Sequence, residues 1–367
     1  MSNIEKVIRE AHLSPEKNDS CPDFATIICQ EHPGAGRGVF AKEVIAANTT
    51  ILKSKIVLAY LVFQPHQRNC CAYCFRYGPD ELPISDMGSR QFFCNSQCRT
   101  GWQDYVGPEG KSTWDAVETF KQSKAQIQQN GPRPTAINPG SDDTAERPSG
   151  SEIGAAWEAA FDDASSIRQA RLGSSTGTTQ IAMEKVMSTP ANFDIICLQI
   201  STIIMRARQP QYWSLLLQLA AEDRPYRSHD QLNEHVISYL QLLANLPTSL
   251  LGYVTPDTCI ELAKRLFVNC FSIGRSPDDD NELGCVLMLE ASLFNHACAP
   301  NVAMVRDGRA RYFMTARKIE CSEELTISYI GERGSSMGRE ERRGILKKTW
   351  GFECRCGKCQ AGSDASS

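Results

Sequence analysis

The chain of 367 residues is long enough for one large or two modest domains with a sizeable core. With 41% hydrophobic and 22% charged residues and a formal net charge of −4, it is neither a basic coat for nucleic acid nor an acidic disordered chain. No apolar run approaches the roughly 20 residues that span a bilayer. The opening "MSNIEKVIREAHLSPEKNDS" lacks the basic-then-apolar pattern of a secretory leader, so the expected setting is the nucleus, the cytoplasm or both.

Taken in chain order, residues 1–22 read as an extension and 23–66 as strand-rich. "FATIICQ" is followed by a glycine turn, "HPGAGRG", and by "VFA", "TILK" and "KIVLAYLVF". Close cysteine pairs occupy 67–106, which ends in a short helix, "NSQCRTGWQDYV". The stretch 107–190 opens with Trp114, Val117 and Phe120 at helical spacing. It then becomes low in complexity: eleven of the twenty residues 131–150 are Gly, Pro, Ser or Thr, and 171–180 is similar. A flexible surface insertion, broken by one helix near Ala155–Ala164, is the expectation.

Helical patterns fill 191–272: "FDIICLQISTIIMRA", "YWSLLLQLAA", "QLNEHVISYLQLLANL" and "DTCIELAKRLFVNCF". Short strands return in 273–335 as "NVAMVRDG", "RARYFMTARKI" and "ELTISYI". A basic helix, "GREERRGILKKTW", opens 336–361, which ends on "GFECRCGKC"; 362–367 read as a disordered tail. The basic residues suit a solvated face, or a docking patch for an acidic partner or a nucleic-acid backbone. The order of elements predicts an α+β fold: a β-rich core interrupted by a cysteine module and a helical insert.

Sixteen cysteines are many for a compartment that keeps thiols reduced, and eight of them fall at metal-ligand spacings. Cys71-x2-Cys74 and Cys94-x3-Cys98 supply two close pairs, the set of four soft ligands that a tetrahedral zinc requires. Cys70 adjoins Cys71, but the x2 spacing that closes a knuckle favours Cys71. In "CRCGKC", Cys354, Cys356 and Cys359 leave a structural zinc one ligand short, and Cys298 in "NHACAPN" is the natural fourth. The rival is a Cys298/His296 nucleophile pair, which would leave the triple-cysteine tail incomplete. Two structural zinc ions are therefore expected.

"GRGVF", "NHACAPN", "EELTISYI" and "FECRCGKC" resemble, in this order, the SET-domain lysine methyltransferases. A cysteine module that splits the region is similar to their SET and MYND-domain subfamily, and the likeness covers about 20–106 and 269–360. The resemblance implies a SET fold of several small sheets with a C-terminal pseudoknot, S-adenosylmethionine as methyl donor, and a lysine of a histone tail or another protein as acceptor. A monomer is expected, and the charge and the lack of a long apolar run give no reason to expect direct nucleic-acid or membrane binding.

By the same resemblance Gly36, Arg37, Gly38 and Val39 would face the donor's methionine end, though alone "GAGRG" is a plain turn. Asn295 and His296 would bond its polar groups, and Asn269, Ser292 and Phe294 would add contacts. Trp350 and Phe352 would stack on adenine or wall the lysine channel, and Tyr329 would be the catalytic tyrosine as well as a cofactor contact. Outside the family each has an ordinary packing role. The finger departs from the subfamily: between Cys74 and Cys94, and after Cys98 through Gly110, there is no further Cys or His, so a reduced, single-zinc finger is expected. Cys321-Ser322 stand where Gly is usual before the Glu pair, and Ala297 stands where Ser is common. Soon after the tail cysteines the sequence stops, and the helical-repeat domain of longer relatives is not expected. A catalytically inactive interaction scaffold is the alternative reading.

Overall fold

The computed structural model describes residues 26–32, 36–127, 146–174, 176–275 and 282–361. Three small sheets carry the core. β1 (Ile27–His32), β2 (Gly36–Ala41), β12 (Glu324–Ile327) and β9 (Asn295–His296) form one, in the order β1-β2-β12-β9. β10 (Val302–Asp307), β11 (Ala310–Thr315) and β3 (Thr50–Ser54) form the second, and β4 (Val57–Val62), β8 (Glu282–Met288) and β7 (Cys270–Gly274) the third. All six residues of β4 are buried, because a helix covers the sheet there. That helix, α5 (Phe193–Arg208), is buried continuously from Ile195 to Met205.

The finger lies between β4 and the helical insert. Its hairpin pairs β5 (Ile84–Ser85) with β6 (Phe92–Phe93). Asn95 then caps the next helix, its side-chain oxygen accepting from the Cys98 amide at 2.8 Å. The helical span α1 (Ser96–Ile127) is two helices that meet at a kink, where Gly107 takes the non-helical φ 67° and ψ 178° ahead of Pro108, so the first of them ends near 106 as expected. That backbone conformation strains any residue but glycine, and a Cβ there would also have to displace the end of the Arg208 side chain.

Finger and core share an interior. Arg309, at the β10–β11 turn, sits over the rings of Tyr73 (5.0 Å), Phe75 (5.4 Å) and Tyr105 (4.3 Å) and donates to the Tyr73 carbonyl at 3.1 Å. Beside it Arg76 pairs with Asp307 at 2.6 Å. Trp102, fully buried, donates its indole N–H to the Tyr60 hydroxyl on β4 at 3.1 Å.

The expected flexible insertion is replaced over 150–188 by three ordered helices: α2 (Gly150–Ala159), α3 (Phe161–Arg171) and α4 (Gly177–Ser188). The polar residues that suggested a linker are caps: Ser149 and Thr176 each form a capping box with the residue three positions on. The helices bury Ile153, Trp157 and Ile167 against α7 (His229–Asn245), with the Trp157 and Tyr239 rings 5.6 Å apart. Residues 131–145 of the low-complexity stretch lie outside the described residues.

α6 (Pro210–Leu216), α7 and α8 (Pro256–Asn269) complete the insert, which ends at Asn269, because Cys270–Gly274 pairs with β8 as a strand. The boundary expected at 272 therefore falls inside β7. β8 itself was absent from the sequence expectation. Its Gly284 has a physical reason, since a Cβ there would lie 2.0 Å from the Leu61 carbonyl oxygen on β4.

Replacing Trp157 by alanine is expected to cost about 3–5 kcal/mol in denaturant unfolding. A loss under about 0.5 kcal/mol would mean that 150–171 does not dock in solution.

Candidate functional site

The sheet β1-β2-β12-β9 brings three of the sequence motifs to one place. β12 runs antiparallel to β2, with Glu324 opposite Phe40 and Leu325 opposite Val39. It runs parallel to β9, with Thr326 opposite Asn295 and Ile327 opposite His296. The glycine motif, the Asn-His pair and the strand leading to Tyr329 thus lie side by side.

Gly36 takes φ 75°, a left-handed conformation open to glycine. Gly38 is needed for space: a Cβ would stand 2.7 Å from Glu324 Oε1 and 2.9 Å from Asn295 Nδ2. Those two groups bond one another at 2.8 Å, and the same Asn295 amide also donates to the Arg37 carbonyl at 2.9 Å. Both amide protons of Asn295 are therefore used inside the protein, and its side-chain oxygen is the atom left to accept from a ligand. His32 approaches the other oxygen of Glu324 at 3.4 Å. Glu324 was not singled out from the sequence. The signal was its place in "EELTISYI" across from an obligate glycine.

Arg37 reaches across to donate to the Gln218 carbonyl in the helical insert. Asn269 is buried at the end of α8, its amide donating to Ala220 and Arg265 carbonyls, each at 2.8 Å. The Ser292 hydroxyl lies 2.6 Å from the Met288 carbonyl and 3.0 Å from that of Asn269, so its single proton is spent internally. Val39 and Phe294 point into the core, the Phe294 ring stacked on Phe313 at 4.3 Å; their main chain is what a ligand could meet.

Tyr329 follows β12 and stands in an aromatic cluster. Its ring centroid is 5.3 Å from His296, 5.4 Å from Trp350 and 6.2 Å, edge-on, from Phe352; His296 and Phe352 are 6.1 Å apart. The Tyr329 hydroxyl donates to the Phe294 carbonyl at 2.7 Å. Burial, assisted by the negative charge of Glu324, pushes the phenol well above its ordinary pKa, so it stays protonated.

The His296 imidazole was expected to bond a ligand, but both nitrogens are engaged. Nδ1 accepts from the Tyr329 amide at 3.0 Å, and Nε2 lies 3.3 Å from Cys298 Sγ. Burial, with the Arg342 charge adding to it, holds the imidazole down at about 4.

The cysteines gather as two sets of four. The ligand atoms of Cys71, Cys74, Cys94 and Cys98, and those of Cys298, Cys354, Cys356 and Cys359, lie within 4.8 Å of one another in each set. Sulfur separations of 3.6 Å (Cys74–Cys94), 3.4 Å (Cys94–Cys98), 3.6 Å (Cys298–Cys359) and 3.8 Å (Cys298–Cys354) are far too long for disulfides. They match the edge of about 3.8 Å that a Zn–S bond of about 2.3 Å gives a tetrahedron. Each set fits zinc. Cys70 stays outside the first set; its thiol is buried and pushed up to about 12 by that burial. Phe75, at φ 61°, lets the Cys71–Cys74 knuckle close, its amide bonding the Cys71 carbonyl at 2.9 Å.

The tail set is brought together by α9 (Arg339–Trp350), Gly351 in the left-handed conformation, and α10 (Gly357–Gln360). The Arg342 guanidinium, buried beneath α9, lies 3.8 Å from Cys359 Sγ, a contact not anticipated from the sequence.

A SET domain family model matches residues 36–330, and the chain belongs to the SET-domain family. Histone-lysine N-methyltransferase SMYD3 of Mus musculus and that of Homo sapiens are each 37% identical to it over 100 residues, 27% of this chain and 22% of theirs. A SET and MYND domain-containing protein of Dictyostelium discoideum is 27% identical over 145 residues, 36% of this chain and 37% of that one. The matched region thus spans well under half the length of these relatives.

Elemental analysis is expected to find two zinc ions per chain, and Cys298→Ser to leave one. One zinc in the unaltered protein would remove the four-cysteine assignment of the tail. Gly38→Ala is expected to cost about 1–3 kcal/mol in thermal unfolding by displacing Glu324 and Asn295, and a neutral result would show that this close approach is not obligatory.

Proposed function

We propose that the protein is a protein-lysine N-methyltransferase that uses S-adenosylmethionine and acts on a lysine of a histone or another protein. The observation that carries this reading is the parallel pairing of β12 with β9, which sets Asn295, the Gly36–Gly38 turn and Tyr329 around one end of a sheet. The family match and relatives named as histone-lysine methyltransferases support it.

When bound, S-adenosylmethionine supplies a methyl group on a sulfonium, and the protein's work is alignment. Main chain at Gly36, Arg37, Gly38 and Val39 would approach the donor: Gly36 leaves open space beside it, and Gly38 makes room for Asn295 and Glu324. The Asn295 side-chain oxygen, its amide protons already committed, presents an acceptor of fixed direction. Main chain at Phe294 and His296, with Asn269 behind them, would close the same side.

Tyr329, Trp350 and Phe352 would wall the acceptor channel. A water-poor aromatic wall disfavours the charged ammonium and lowers the lysine pKa, keeping the amine nucleophilic. Because the Tyr329 proton is held by the Phe294 carbonyl, the phenolic oxygen is free to accept from the amine N–H and turn its lone pair toward the methyl. Such alignment contributes up to about 7–11 kcal/mol in ideal cases.

Labelled methyl transfer to peptide arrays, alongside cofactor binding by calorimetry, tests the reading. Tyr329→Phe is expected to lower kcat by about 10²–10³-fold, in line with the loss of one oriented polar group, with cofactor affinity unchanged. Unchanged transfer would remove Tyr329 from the mechanism, and absence of cofactor binding by the unaltered protein would leave the inactive scaffold as the better description.

A further inference from the structure

We infer that His296 is a positioning residue that links the tail metal site to Tyr329, using one ring nitrogen for each. The Tyr329 half of this inference rests on the function proposed above; the metal half does not.

The parallel ladder of β9 and β12 ends at Ile327, opposite His296, with the Ala297 amide donating to the Ile327 carbonyl at 3.0 Å. Two residues further, Tyr329 has left the ladder, and its amide is held by a side chain: His296 Nδ1, at 3.0 Å. A nitrogen that accepts a hydrogen bond carries no proton, so the ring's proton is on Nε2. Nε2 lies 3.3 Å from Cys298 Sγ, placing an N–H donor against a sulfur of the tail set.

Four thiolates around one zinc leave a net negative charge, which donors outside the ligand shell stabilise. Cys356 Sγ is approached by the Cys298 amide at 3.4 Å and Cys359 Sγ by Arg342 at 3.8 Å. Arg342 is fixed for this by its other arm, which donates to the Met337 carbonyl at 2.6 Å. His296 serves Cys298 in the same way, and it differs from the other two donors in having its second nitrogen on Tyr329. Its imidazole therefore fixes the direction of a metal ligand and the main chain of the proposed catalytic residue together.

The two functions separate by substitution in the full chain. His296→Asn keeps an acceptor near the place of Nδ1 and removes the donor at Nε2; His296→Gln does the reverse. Zinc release to a colorimetric chelator is expected in two phases, and Cys298→Ser, which keeps the finger ion alone, identifies the tail phase. In His296→Asn the tail phase is expected to quicken by about 10–100-fold, the usual consequence of losing an outer donor, while the finger phase stays unchanged and reports that the chain is folded. In His296→Gln both phases are expected to match the unaltered protein while kcat falls at least tenfold with cofactor affinity unchanged. Identical tail release in both variants, or loss of cofactor affinity in either, would overturn the inference, the second result making His296 a cofactor ligand. If the unaltered protein transfers no methyl group, the methyltransferase reading falls, and the zinc-release comparison still decides the metal half.

Discussion

A two-residue parallel contact, Asn295-His296 against Thr326-Ile327, is the constraint on which the site depends. Its partners are close to thirty residues apart in the chain, and β10 and β11 intervene as a separate hairpin. So short a ladder cannot hold itself together; it is braced on both flanks. Asn301 donates to the Glu324 carbonyl and accepts from the Thr326 amide, each at 2.8 Å. On the other side Asn295 binds Glu324 and the main chain of β2. Side-chain amides stand in for the backbone bonds that a longer strand would have made.

The two four-cysteine sets were legible because metal geometry is local: close thiols have few other uses in a reducing compartment, and the missing fourth ligand of the tail pointed to Cys298. The helices of 150–188 were hidden by the chemistry of their own beginnings. Ser149 and Thr176 favour cap and linker alike, and what decides is whether the residues that follow find a partner to bury Trp157 and Ile167. β8 was hidden by its neighbours, since the acidic run before Glu282 and a glycine inside the strand both read as loop. Only the opposing backbone at Leu61 turns Gly284 from a breaker into a requirement.

Within the site, residue identity was legible and orientation was not. Asn295, His296 and Tyr329 stand together, yet which atoms face a ligand depends on protons already committed to Glu324, Cys298 and Phe294. Glu324 and Arg342 act through partners distant in sequence, and only Glu324 lies in a recognisable motif. The Asn-His dipeptide reads as a pair of ligand-binding side chains, and the fold gives the two residues different neighbours: Asn295 faces the glycine turn, and His296 stands between Tyr329 and Cys298 of the tail set.

The Arg309 guanidinium, enclosed by Tyr73, Phe75 and Tyr105, removes the line along which the finger would be cut from the rest of the protein. A module that can be exchanged between proteins keeps a closed interior and meets its host through a polar seam. Here the aromatic interior of the finger is completed by the tip of a hairpin from the SET core and by Tyr60 of β4. Inheritance must therefore act on finger and core as one unit, and loss of cysteines from this finger would be felt first at the β10–β11 turn.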